Sequence, residues 1–281
     1  MKRIVTHINP DLDAVASVWL IKQFLPGWEE AEIDFIASSI STEKKQEIDQ
    51  NPNVLYVDVG RGKLDHHQTG KLLSAAQLCF DFIKKARKGK KLSPLDEEVL
   101  KRVVKVVTEV DNARDLSWQE VKQDRYKFYL HTLISGIRGL AGSDQEAMNF
   151  GLKAFNAVAL NLKNKIRAEE ELIKGGIRFE TPWGQAIALE SGNEEVLWEG
   201  ETQGFCLVVK KDPETGAVRI YGHYDKGVDL TKAYNKFKKL DPQSDWFLHA
   251  SKKLLLNQAS VNPDMRPTKL KLEQIVKVLT S

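Results

Sequence analysis

Apolar and polar positions alternate in blocks that read as two architectures joined end to end. Residues 3–6 are a short apolar run and predict a first strand, closed by the polar turn His7-Ile8-Asn9-Pro10-Asp11-Leu12-Asp13. From Asp13 onward Ala14, Val15, Val18, Trp19, Ile21 and Phe24 recur at helical spacing, and Pro26-Gly27 stops that helix. Residues 33–37 predict a second strand. Ser41 and Thr42 offer caps for a polar helix reaching about Asp49, and residues 54–57 predict a third strand. Strand, helix, strand, helix, strand implies βαβ units and a parallel sheet. Helical periodicity then dominates, over residues 74–88, 95–110, 126–139 and 144–174. After Gly175-Gly176 the period shortens. Residues 177–180, 185–189, 205–210 and 218–223 read as strands, followed by a helix at 230–240, a strand at 246–249 and a helix at 272–279. The expected fold class is α/β, with an N-terminal parallel-sheet domain at residues 1–175 and a smaller α+β domain at 176–281.

Composition narrows the picture only a little. The 281 residues are 42% hydrophobic and 29% charged, which suits a globular protein. A net charge of +3 is too mild to imply nucleic acid by itself. Cys79 and Cys206 sit far apart in apolar contexts and read as buried free thiols. No apolar run approaches the ~20 residues of a spanning helix, so a cytoplasmic protein without membrane contact is expected.

The chemistry collects in a few turns. Asp58 stands where the third strand ends, the position at which ligands gather in parallel sheets. Gly60 and Gly62 loosen the turn that leads to Asp65-His66-His67. Three adjacent ionisable side chains cost desolvation if even partly buried, and a bound divalent cation reverses that balance. The first turn adds His7, Asp11 and Asp13, and the end of the helix at 95–110 adds Glu109 and Asp111, with Asp115 a further spare acid. Half of the six histidines lie in these turns. Such a donor set can hold two divalent ions sharing a carboxylate. Mixed Asp and His ligands favour Mn²⁺, Fe²⁺ or Co²⁺ over all-oxygen Mg²⁺ or Ca²⁺. Two ions so placed serve in-line attack of water on a phosphoryl centre.

The motifs HINPDLDA at residues 7–14, VDVG at 57–60 and DHHQ at 65–68, in that order, resemble the DHH phosphoesterase superfamily, with EVDN at 109–112 as its fourth motif. The resemblance covers roughly residues 1–115 and implies a parallel α/β catalytic domain. It implies that His7, Asp11 and Asp58 hold one cation and that Asp13, Asp58, His66 and Asp111 hold a second, with Asp58 bridging. His67 would contact the scissile phosphate or leaving group, and Asp65 would orient a histidine. Mn²⁺ is the expected cofactor, with Mg²⁺ or Co²⁺ as substitutes. Within the superfamily, VDN and Phe247-Leu248-His249-Ala250-Ser251 look like MYG-type exonucleases, while the first motif looks more like the pyrophosphatases and oligonucleotide phosphodiesterases. Ser251-Lys252-Lys253 faintly resembles the phosphate clamp of family II pyrophosphatases, and the Gly-Gly-His motif of oligonucleotide-cleaving members is missing.

The expected activity is hydrolysis of a phosphodiester in short RNA or a nucleotide. The alternatives are a pyrophosphatase-like hydrolase and a non-catalytic phosphate- or RNA-binding module. His249, Ser251, Lys252, Lys253 and Arg266 are the candidate substrate-phosphate donors, and a homodimer is compatible with this reading. The basic run at residues 84–91 reads better as cations at a helix C-terminus than as a nucleic-acid track. Trp183, Trp198 and Tyr221 read better as core than as a stacking surface, and His223 as a surface histidine.

Overall fold

The computed structural model describes residues 1–38, 48–87, 89, 91–258 and 262–280. The polar helix expected near residues 41–49 and the cations Lys88 and Lys90 lie largely outside them. The chain divides into two compact units, Met1–Lys163 and Asn164–Ser281.

In the first unit, β1 (Arg3–His7) lies between β2 (Glu32–Ile36) and β3 (Val54–Tyr56), both parallel to it. Val5 pairs with Asp34 on one side and Tyr56 on the other. All three strands therefore point the same way, and the ends of β1 and β3 open onto one edge. The strand expected at 54–57 stops at Tyr56, and Val57 pairs only through an isolated bridge to Leu64. Helix α1 (Leu12–Phe24) is buried from Leu12 to Ile21 on every face. That follows from its composition, since apolar residues all round leave no face for water. It packs against β1, α2 (Ala75–Ala86), α3 (Pro94–Asp111) and α4 (Leu130–Ala141). Trp19 stacks on Phe155 of α5 (Asp144–Lys174), and its indole N–H donates to Asn156 Oδ1 at 2.8 Å. The helix expected at 126–139 is instead a 3-10 turn, Asp124–Phe128, followed by α4. The Tyr126 hydroxyl donates to the buried Asp115, which pulls the chain out of helical register there.

The second unit carries a mixed sheet in the order β4-β5-β6-β7-β9-β8. Its strands are β4 (Ile177–Thr181), β5 (Gly184–Glu190), β6 (Leu207–Lys211), β7 (Val218–Gly222), β8 (Trp246–Leu248) and β9 (Leu254–Asn257). Among the described strands of this sheet only β5 and β6 pair in parallel, joined by α6 (Glu195–Thr202). Strand alternation explains the two faces. Ala186, Ala188, Leu207 and Val209 pack with Phe237 of α7 (Thr231–Leu240) and Ile275 of α8 (Leu272–Leu279). Ile187, Leu189 and Val208 pack with Leu172 of α5 and Val196 and Leu197 of α6. Sequence pattern did not predict α6 or β9. Both cysteines are free and buried. Among the described residues, no helix is long and apolar enough to cross a membrane.

Candidate metal centre

Each of the three turns flagged in the sequence reaches the same edge of the small sheet for a local reason. Asp11 caps α1, its Oδ1 accepting from the amides of Asp13 and Ala14 at 3.0 Å each. The turn before it is braced from far along the chain. The Asn9 amide donates to Asp144 Oδ1 at 3.0 Å, and Arg138 donates to the Asn9 carbonyl at 3.2 Å. Asp58 has φ of 56°, the left-handed region that aspartate tolerates better than most residues. That conformation, with the Asp58 amide donating to the Leu64 carbonyl at 3.0 Å, folds the following loop back so that residues 65–67 face Asp58.

Asp58 is the hub. It is only 3% exposed, and its two oxygens serve two separate groups of donors. His7 Nε2 donates to Oδ2 at 3.3 Å, and Asp11 Oδ1 lies 3.9 Å from the same imidazole nitrogen. On the other side His66 Nε2 stands 3.4 Å from Asp58 Oδ1, 3.5 Å from Asp111 Oδ2 and 3.6 Å from Asp13 Oδ2. Donor atoms bound to one ion at ~2.1 Å lie roughly 3–4 Å apart, so both groups have the spacing of a ligand shell. Moreover, Asp58 Oδ1 and His66 Nε2, an ion pair at 3.4 Å, are buried without a hydrogen-bond partner among the described residues. Buried polar atoms are rarely left so, and a cation would satisfy both. The residues present therefore fit divalent cations.

Protonation balances the crowded acids in the metal-free protein. Burial works to lower the His7 pKa, but bonding to Asp58 and Ile8 and the nearby acids outweigh it and raise it to about 9. The adjoining Asp58 carboxylate likewise lifts His66 to about 9, against burial. For Asp58, burial acts upward, yet the two imidazoles hold its pKa below the usual value. Asp13 is pushed well up by burial and by Asp58, against the pull of two amides. Burial also lifts Asp111 to about 6.

His67 and Asp65 stand beside this cluster. The His67 Nδ1–H donates to Asp65 Oδ1 at 2.7 Å, and Asp65 is itself fixed by the amides of Arg61 at 2.6 Å and His67 at 3.0 Å. With Nδ1 given to Asp65, the Nε2 edge of the half-exposed His67 ring has no hydrogen-bond partner among the described residues. A cavity of about 250 Å³ lined by His7, Asp11, Asp58 and His67 opens here.

Of the alternative acids, Asp115 is bonded to Tyr126 and sits 3.7 Å from His131, whereas Asp111 faces His66. Asn112, which the fourth motif includes without a role, ties the end of α3 to the Leu73 carbonyl at 3.0 Å and touches Asp111 at 3.3 Å. Sequence reasoning missed the bracing pair Arg138 and Asp144. In the second unit His249, Ser251, Lys252 and Lys253 share the turn between β8 and β9. There His249 Nδ1 and the Ser251 hydroxyl are 2.9 Å apart, and Lys252 pairs with Asp229 at 3.2 Å. Arg266 is not part of that group and instead forks onto Asp245 at 2.8 and 3.0 Å. His223 stacks on Tyr224. Trp198, expected in the core, is 50% exposed and meets Tyr221 edge-on at 5.1 Å.

No family model and no curated protein matches the chain. Solved structures do. The pGpG-specific phosphodiesterase PggH from Vibrio cholerae is 13% identical over 99% of this chain and 98% of its own, with a TM-score of 0.30. RecJ from Thermus thermophilus in complex with Mg²⁺ is 12% identical over 99% of this chain and 49% of its own, at 0.31. The exonuclease RecJ bound to manganese is 13% identical over 99% of this chain and 89% of its own, at 0.27.

Proposed function

We propose that this protein is a divalent-cation-dependent phosphoesterase that hydrolyses a phosphodiester of a short oligonucleotide or nucleotide. The observation that carries the reading is Asp58, a buried carboxylate shared by two donor groups, facing a buried imidazole nitrogen that has no hydrogen-bond partner among the described residues. His7, Asp11 and Asp58 would hold one cation, and Asp13, Asp58, His66 and Asp111 the other. When bound, such ions supply an activated water and neutralise charge on the phosphoryl oxygens. Mn²⁺ suits the mixed nitrogen and oxygen donors.

The chain's own groups do the rest. Asp65 fixes the tautomer and direction of His67, so its Nε2 meets the scissile phosphate or leaving oxygen. With a second proton on Nε2, the imidazolium so held is an oriented general acid. Burial of Asp13 and Asp58 keeps competing water from their inner oxygens. We assign phosphate recognition to the turn carrying His249, Ser251, Lys252 and Lys253. Arg266, engaged by Asp245, would have to exchange partners to join it.

The test is hydrolysis of bis(p-nitrophenyl) phosphate and of pyrophosphate with Mn²⁺, comparing wild type with Asp58→Ala. The diester should be cleaved, and Asp58→Ala should lose at least ~10³-fold in turnover, a typical cost of removing a central electrostatic group. Equal turnover by the two proteins overturns the mechanism, and turnover of pyrophosphate alone overturns the substrate.

A further inference from the structure

The loop between Asp58 and Asp65 brings one more side chain to the metal centre. Arg61 lines the cavity of about 250 Å³ together with His7, Asp58 and His67. It carries the one guanidinium or ammonium among the described lining residues. Arg61 is exposed, and its guanidinium has no ion pair or hydrogen bond among the described residues.

The backbone does not favour an arginine at this position. Gly60 has φ of 89° and Arg61 φ of 60°, so both lie in the left-handed region, where a Cβ crowds the following carbonyl. Asn9 and Asp58, also left-handed at the rim of the centre, are of the types that tolerate it, and Gly60 has no Cβ to crowd. Arginine has neither exemption. The Arg61 amide does hold the turn, donating to Asp65 Oδ2 at 2.6 Å, but any residue other than proline supplies that donor. What arginine contributes at position 61 therefore comes from its side chain, and strain kept at the edge of a site is the mark of such a role.

The neighbours of Arg61 define its partner. Asp11 and Asp58 are given to the proposed cations, and Asp65 to two amides and to His67. A phosphodiester presents two unesterified oxygens that share one negative charge. A guanidinium meets such a pair as a flat fork with parallel N–H donors, which an ammonium cannot do.

Resting on the phosphodiesterase reading above, we infer that Arg61 binds the unesterified oxygens of the scissile phosphate, a substrate-binding residue of the metal centre that lies in none of the four motifs. It selects a charged phosphoryl group over a neutral ester.

The experiment is calorimetric titration of the Mn²⁺-loaded full chain with inorganic phosphate, for wild type, Arg61→Lys, Arg61→Gln and Arg61→Gly. Arg61→Gln should bind phosphate at least ~10-fold more weakly than wild type, the scale of losing a charge-assisted bidentate pair. Arg61→Lys should recover only part of that loss, because it restores the charge without the fork. Arg61→Gly separates side chain from backbone. Glycine relieves the left-handed turn, so this variant should unfold at a higher temperature than Arg61→Gln and yet bind phosphate no better. Mn²⁺ stoichiometry should stay the same in every variant. Glutamine and glycine variants that bind phosphate as tightly as wild type overturn the assignment, as does a wild type that binds none, or a loss of phosphate affinity that only follows a loss of Mn²⁺. Failure of the phosphodiesterase reading shows separately, as a wild type that binds phosphate through Arg61 and leaves bis(p-nitrophenyl) phosphate intact.

Discussion

Asp58, His7 and His66 set the behaviour of the centre at the scale of single residues. Metal ligation needs neutral imidazole, yet both histidines hold their protons to about pH 9 in the metal-free protein. Loading with Mn²⁺ at pH 7.5 should therefore expel the protons of both imidazoles, together with any that Asp13 holds. Calorimetry in buffers of differing ionisation enthalpy reads this directly, and no buffer dependence would contradict the assignment. The same shifts govern stability. A histidine whose folded pKa lies above its unfolded value of 6.5 contributes stability that is complete below pH 6.5 and is lost as pH rises through 9. Urea unfolding in EDTA should show a midpoint that falls between pH 7 and 9, and His7→Gln should flatten that fall. Bound Mn²⁺ should remove the pH dependence, because the imidazoles are then neutral in the folded state.

Among the elements, the N-terminus of α2 couples folding to the donor set. Asp13 accepts from the amides of Ala75 at 2.6 Å and Ala76 at 2.8 Å in a fully buried position. Asp13→Ala leaves two buried donors unmatched and should destabilise the metal-free protein by about 2 kcal/mol. Asp13→Asn keeps an acceptor for only one of the two amides, which bond different Asp13 oxygens, and sets its NH₂ against the other, while removing a charge that burial and Asp58 oppose. It should fall between wild type and Asp13→Ala in metal-free urea unfolding while losing Mn²⁺ affinity. An Asp13→Asn variant as stable as wild type would show that one acceptor suffices for both amides. This scale also shows what the sequence discloses. The polar turns were legible because Asp11, Asp58 and the pair His66-His67 stand at the ends of apolar strand runs, where packing gives no reason for them. Helix α5 was legible at full length because its periodicity runs unbroken from Asp144 to Lys174. The 3-10 turn at Asp124–Phe128 was not, because its apolar spacing is helical and the hydroxyl that breaks it bonds an acid 11 positions away. Nor was β9, whose run Leu254-Leu255-Leu256 is too short to declare a period. Trp198 was misjudged because an aromatic in a β-rich segment gives no sign of which face of its helix it occupies.

For the whole molecule, all the proposed metal ligands belong to the first of the two compact units. Ligand binding stabilises the native state by mass action, and most strongly where the ligand sits. Mn²⁺ should therefore slow amide exchange at residues 57–67, at the start of α1 and at the start of α2, leaving β4 to β9 unchanged. Hydrogen exchange followed by mass spectrometry distinguishes this from uniform protection across both units, which would argue against a local centre.

The recognisable motifs end at Asn112, but the turn that begins them is held by Arg138 and by Asp144, the latter 135 positions beyond Asn9. The shortest stretch able to build this centre is therefore longer than the stretch that spells it. A transplant of residues 1–115 into another protein would carry every donor and leave His7 and Asp11 without their clamp.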